Sequence, residues 1–408
     1  MRRFAPLIAG FLALTLVGAA CTSKKASSVE DLAAIQAKLD QASAKSPGAV
    51  LRSTLDTLFG EHVALLADAA AAQIQGRAAD VTAASERLLG KNSTDLATAF
   101  GTVYPDAQIT FYALWRKHIA FFLDYGAAAA KNDAAGKKKA VDQLNAYAVT
   151  FAAFLNGQNS LLPKDAVVAL FKEHATTVTA VIDAVAAKDY AKADTALIAA
   201  YAHMDMIGKA LATAVRAQHP EKLQGVPDSK PADLRAQLDA ALQGHSLLLY
   251  SMGAAIVQKR APDAAAAVDA LTSTNANDIA SLIGTAWGGS SQATFLTAWQ
   301  KQIPLYESYA RAVAAKNATA EAKYRDDLAT AAQGIGTVIH GLDPELAAGD
   351  ISDLVELQLL SIKQSIDSLG RNDFGLAYDA LLRAVMHMDD LAAEIADGVA
   401  KQFPTKFV

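Results

Sequence analysis

Apolar residues recur along this chain at steps of three and four. Leu51, Leu55, Leu58 and Phe59 lead into His62, Leu65 and Leu66, and no sustained alternation of the kind a half-buried strand requires appears. The spacing predicts helix, and the frequent alanines, strong helix formers, agree with it. Breaks are expected at Gly90-Lys91-Asn92, before Pro105, at Asn132-Asp133, from Asn156 to Asn159 and at Lys188-Asp189. Pro163 suits a first helical turn, where its missing N–H costs nothing.

The pattern then repeats. LRSTLDTLFGEHVALL at 51–66 aligns with LRAQLDAALQGHSLLL at 234–249, and FGTVY at 100–104 with IGTAW at 283–287, both at an offset of 183. After one added residue, ALWRKHI at 113–119 lies over TAWQKQI at 297–303, and AHMD at 202–205 over MHMD at 386–389, at an offset of 184. Solenoid repeats have periods of tens of residues, so this long period predicts a duplicated domain. The expected architecture is all-α: two homologous up-and-down helical bundles in tandem, 48–224 and 231–408, joined by a Pro-containing linker at 225–230.

The N-terminus changes the setting. Met1-Arg2-Arg3, an apolar run from Leu7 to Val17, and Gly18-Ala19-Ala20 precede Cys21, the only cysteine of the 408 residues. This resembles a bacterial lipoprotein signal, with Gly18 standing where such signals usually carry leucine. The resemblance implies cleavage after residue 20, lipidation of Cys21 and a tether over 21–47. The body would then sit in the cell envelope, on the outer face of a bacterial membrane, with the acylated Cys21 as its membrane partner. No thiol remains beyond Cys21 for disulfide or thiolate chemistry.

Charge excludes one class of partner. The formal net charge is −5, and no basic stripe interleaved with aromatics is present, so nucleic acid is not expected. Lys137-Lys138-Lys139 reads as a solvated helix start. No P-loop, dinucleotide turn or nucleophile elbow occurs, and Gly288-Gly289-Ser290-Ser291 lacks the preceding strand that a phosphate site needs. A non-catalytic protein is expected.

The candidate chemistry lies in the histidines of the first half. His62, His118, His174 and His203 fall on four different expected helices, each near mid-length and each among apolar neighbours. Convergent neutral imidazoles suit a transition metal, copper or zinc, and Met206, one turn after His203, would add a thioether for copper. Glu61 and Glu173, adjacent to His62 and His174, and Tyr125, two turns after His118, are candidates for a supporting shell. In the second half His62 maps to His245 and His203 to His387, but His118 maps to Gln302, His174 to Gln358, Met206 to Asp390, Glu61 to Gly244 and Glu173 to Leu357. That joint change fits one site kept and its duplicate lost. Three readings stay open: metal binding, a structural polar layer in an envelope scaffold or interaction protein, and noncovalent haem binding, since no Cys-x-x-Cys-His attachment site exists.

EHVALLADAA, ALWRKHIAFFLDY, KEH at 172–174 and AAYAHMDMIGKALA resemble a poorly characterised bacterial family of secreted all-helical domains. Some of its members are fused to modules named for the copper amine oxidase N-terminal domain. The resemblance implies an extracytoplasmic helical fold and transfers no activity.

Overall fold

A computed structural model describes residues 43–407; the signal segment, Cys21 and most of the tether lie outside them. The described residues form an all-α protein, with no strand among them. The first half comprises α1 (Pro47–Ile74), α2 (Ala78–Glu86), α3 (Ser93–Val103), α4 (Gln108–Ala130), α5 (Ala134–Gln158), α6 (Lys164–Ala186) and α7 (Tyr190–Gln218). The second comprises α8 (Lys230–Val257), α9 (Ala261–Asp269), α10 (Ala276–Trp287), α11 (Gly289–Gln300), α12 (Gln302–Ala314), α13 (Ala318–Leu342), α14 (Ala348–Gly370) and α15 (Phe374–Gln402), followed by a terminal turn α16 (Pro404–Phe407).

The same local signals start and stop corresponding helices. Ser46 and Ser229 cap α1 and α8 by accepting from Ala49 N–H and Ala232 N–H. Asp133 and Asn317 cap α5 and α13, and Asp189 and Asp373 cap α7 and α15. Left-handed residues close matching helices: Gly76 and Lys259, Asn132 and Lys316, Lys188 and Asn372.

Two features depart from the expected breaks. Gly90-Lys91-Asn92 is not a loop but part of a π-helical segment, Arg87–Asn92, that carries α2 into α3; Ala270–Asn275 repeats it. The wide turn aims Asn92 and Asn275 inward, where their amides donate to the carbonyls of Leu58 (2.8 Å) and Ala241 (2.7 Å). The single helix α4 corresponds to two, α11 and α12, interrupted at Lys301. Pro304, where the first half has Ala120, has no N–H to offer the Gln300 carbonyl.

The halves do not part into separate bodies. The described residues form one compact unit, and one large apolar core runs through both halves. The packing between halves is reciprocal: α7 lies on α8 and α9, and α15 lies on α1 and α2. Helices α1 and α8 also touch each other, which is why both are buried around most of their circumference. Lys230–Val257 is long and apolar enough to cross a membrane by length and composition, but 72% of its most apolar window is buried inside the protein.

Candidate metal centre

Three helices deliver histidines to one point in the first half. His62 on α1, His118 on α4 and His174 on α6 are all buried, and one ring nitrogen from each lies within 4.8 Å of the other two. His62 Nε2 and His118 Nε2 are 3.2 Å apart. That is the length of an N–H···N hydrogen bond between the two rings, and it is also close to the roughly 3.3–3.4 Å that separates two imidazole nitrogens bound tetrahedrally to an ion at about 2.0–2.1 Å. The ring centroid of His174 lies 5.7 Å from that of His62 and 6.0 Å from that of His118.

The surroundings are aromatic and apolar. Tyr147 stacks on His118 at 4.9 Å, Trp115 meets His118 edge-on at 4.5 Å, and Phe122 meets His174 edge-on at 5.2 Å. Burial therefore pushes all three imidazoles down in pKa: His118 to about 3, and His62 and His174 well below the ordinary histidine range, with the neighbouring imidazoles adding to the effect. All three are neutral at pH 7 and hold lone pairs without a proton competing for them.

Satisfied hydrogen bonding is what this layer lacks. Among the described residues Nδ1 of His62 and both ring nitrogens of His174 have no hydrogen-bond partner, and neither does the Tyr147 hydroxyl, while His118 has a backbone hydrogen bond to Trp115 that partly opposes the effect of burial. Each buried polar atom left unpaired costs about 1–3 kcal/mol. The corresponding layer of the second half is more fully paired, although His245 Nε2 and Gln302 Nε2 have no partner among the described residues. Tyr306 donates to Gln358 Oε1 at 2.9 Å, Gln358 Nε2 donates to Ser246 Oγ at 3.2 Å, and His245 Nδ1 lies 2.9 Å from Asn275 Oδ1. In the first half Phe122 stands for Tyr306 and Val63 for Ser246, so His174 has no such partners. Those two exchanges are visible in the internal alignment and mark which half keeps a bare nitrogen cluster; the sequence reading missed them, along with Tyr147.

The remaining expected site residues lie elsewhere. His203 is buried, but its Nε2 pairs with the Leu170 carbonyl at 2.9 Å and it is not part of the three-nitrogen cluster. Met206 is 56% exposed, so the thioether proposed for copper faces solvent. Glu173 is exposed on the outer face of α6. Tyr125 donates to the Asp183 carboxylate at 2.9 Å, one side away from the histidines. Glu61 is buried beside His62 in sequence yet turns to Asn92, whose amide donates to it at 3.4 Å. Burial lifts its carboxyl to about 7, partly opposed by the Asn92 hydrogen bond. Cys21 falls outside the described residues.

No protein family, curated protein or solved structure matches the chain.

Proposed function

We propose that this protein is a non-catalytic transition-metal-binding lipoprotein of the bacterial cell envelope, holding one zinc or copper ion through His62, His118 and His174. The observation that carries the reading is the convergence of three buried, neutral imidazoles from three helices, with neither ring nitrogen of His174 paired among the described residues. An ion held between the rings would take up a His174 nitrogen that the protein's own groups leave unpaired, whereas Gln358, at the same position of the second half, is paired by Tyr306 and Ser246. With His203 paired to the Leu170 carbonyl and Met206 facing solvent, the donor set is three imidazoles without the thioether that would favour copper over zinc.

The test is metal analysis of the mature protein beside a His118→Gln plus His174→Gln variant. About one ion per chain in the first and none in the second is expected, together with a melting temperature that rises on adding zinc or copper only in the first. Equal, near-zero metal in both proteins refutes the reading. For the envelope assignment, Cys21→Ser is expected to move the protein from the membrane fraction to the soluble one; unchanged retention refutes the acyl anchor.

A further inference from the structure

A cavity of about 390 Å³ lies where the halves meet, between α7, α8 and α10. Its walls are Leu197 and Ile198 on α7, Leu247 and Leu248 on α8, and Leu282 on α10, with the Asn275 amide at its inner end. The size falls within the range of small-molecule sites, and so does the composition: apolar walls and few polar groups.

The first half shows what the polar end is built to receive. There Asn92 donates twice, to the Leu58 carbonyl at 2.8 Å and to the Glu61 carboxyl at 3.4 Å. Asn275 keeps the first of these bonds, to the Ala241 carbonyl at 2.7 Å, and among the described residues its Nδ2 has no second acceptor. The residue that would supply one is Gly244, the counterpart of Glu61. A Cβ built on Gly244 meets only the Asn275 amide nitrogen, at 3.8 Å, so the volume of the missing side chain is open and continuous with the cavity. A carboxamide nitrogen carries two donors, and Asn275 is 3% exposed, so water reaches the second one only through this cavity.

We propose that the cavity binds one uncharged amphipathic molecule, a medium-length alkyl chain ending in a carbonyl-type acceptor, which takes on Asn275 the place Glu61 takes on Asn92. Primary amides and protonated carboxylic acids have this chemistry. The alkyl portion lies along Leu197, Leu247, Leu248 and Leu282. An anionic head is disfavoured, because Asp278 and Asp205 line the same cavity and Asn275 offers a dipole without a positive charge. This inference is independent of the metal centre, which lies in the first half on α1, α4 and α6.

Octanamide titrated into the mature protein by calorimetry is expected to saturate at one per chain below about 1 mM. Gly244→Glu restores in the second half the side chain of the first, fills the cavity from within, and is expected to weaken binding at least tenfold with an unchanged melting temperature. Leu282→Gln, on the partly exposed wall, supplies a second variant whose folding is not at risk, with severalfold weakening expected. Octanoate at pH 8 should bind more weakly than octanamide. No saturation by the wild-type protein, undiminished binding in the two variants, or tighter binding of octyltrimethylammonium than of octanamide overturns the proposal, the last by assigning the head group to the aspartates.

Discussion

Arg52 on α1 sits 2.8 Å from Asp205 on α7, and this ion pair explains why His-Met-Asp is written twice in the chain. Its counterpart joins Arg235 on α8 to Asp389 on α15 at 2.7 Å. Met204 and Met388 are buried in the core, so the recurring motif encodes a packing residue followed by an ion-pair residue. The two pairs meet across the interface between halves. Arg52 also holds Asp233, and Ser53 bonds to Asp239 at 3.3 Å and to Asp389. Asp56 and Asp239, fully buried beside the arginines, are driven well up in pKa by burial and then by the neighbouring carboxylates Asp205 and Asp389. The duplicated motif thus belongs to assembly of the two halves, not to the three-histidine cluster.

Arg52→Ala leaves Asp205 and Asp233, whose side chains are 26% and 33% exposed, without their guanidinium, and hydrogen bonds to a charged group are worth about 1.5–3 kcal/mol. Urea unfolding at pH 7 should show a loss of that order, and Arg235→Ala should show a similar one. A double-mutant cycle on Arg52 and Asp205 should return a coupling of at least ~1 kcal/mol. Losses within the range of ordinary surface substitutions would show that the network contributes little.

Helical class and the convergence of three histidines were legible in the sequence because each rests on periodicity. The helix assignment needed only the spacing of apolar residues, and mid-helix histidines on neighbouring antiparallel rods reach a common level. The failures come from what periodicity does not resolve. Three residues advance a helix by about 300°, so Met206 sits roughly 60° from His203, enough to carry it from the buried face into solvent. Tyr125 lies seven residues beyond His118, about 10 Å along the axis, and reaches Asp183 instead of the cluster. Adjacent residues diverge by about 100°, which leaves Glu173 outside while His174 points in. The fusion of the halves into one unit was hidden because the linker at 225–230 reads the same whether the flanking bodies touch or not.

His203 separates the three-histidine centre from the expected four-histidine one. Its nitrogen is used by the Leu170 carbonyl, so His203→Gln should keep full metal loading while losing roughly 1–2 kcal/mol of stability through the altered hydrogen bond. Met206→Ala should change neither loading nor stability, since that side chain is largely in solvent. Loss of metal in either variant, measured against His174→Gln as the depleted reference, would return those residues to the ligand set.

Asp194 gives a pH signature distant from the histidines. Burial, reinforced by the Asp263 carboxylate, raises its carboxyl to about 7 in the folded protein, against 3.8 for the free group. Below the lower value both states are protonated and the residue has no effect on pH dependence. As pH rises toward 7 the unfolded chain releases its proton while the folded one keeps it, so stability falls through that window and levels off above it. Asp194→Asn lacks this loss. Relative to wild type it should gain on the order of 3 kcal/mol at pH 8 and nothing near pH 3.5, read from denaturant midpoints at the two pH values. An equal gain at both would assign the effect to packing.

His174 and Gln358 occupy equivalent positions with opposite hydrogen-bonding states, and leucine substitutions turn that contrast into a measurement. In chelator, His174→Leu removes two unpaired buried nitrogens and should be neutral or stabilising by about 1–2 kcal/mol. Gln358→Leu strands the Tyr306 hydroxyl and the Ser246 hydroxyl and should cost about 2–3 kcal/mol. Adding zinc should reverse the order for the first pair only: wild type gains by linkage, about 2.7 kcal/mol at a hundredfold excess over the dissociation constant, and His174→Leu does not. If His174→Leu in chelator is as damaging as Gln358→Leu, the imidazole holds the core together through interactions of its own and the nitrogen cluster has no need of an ion.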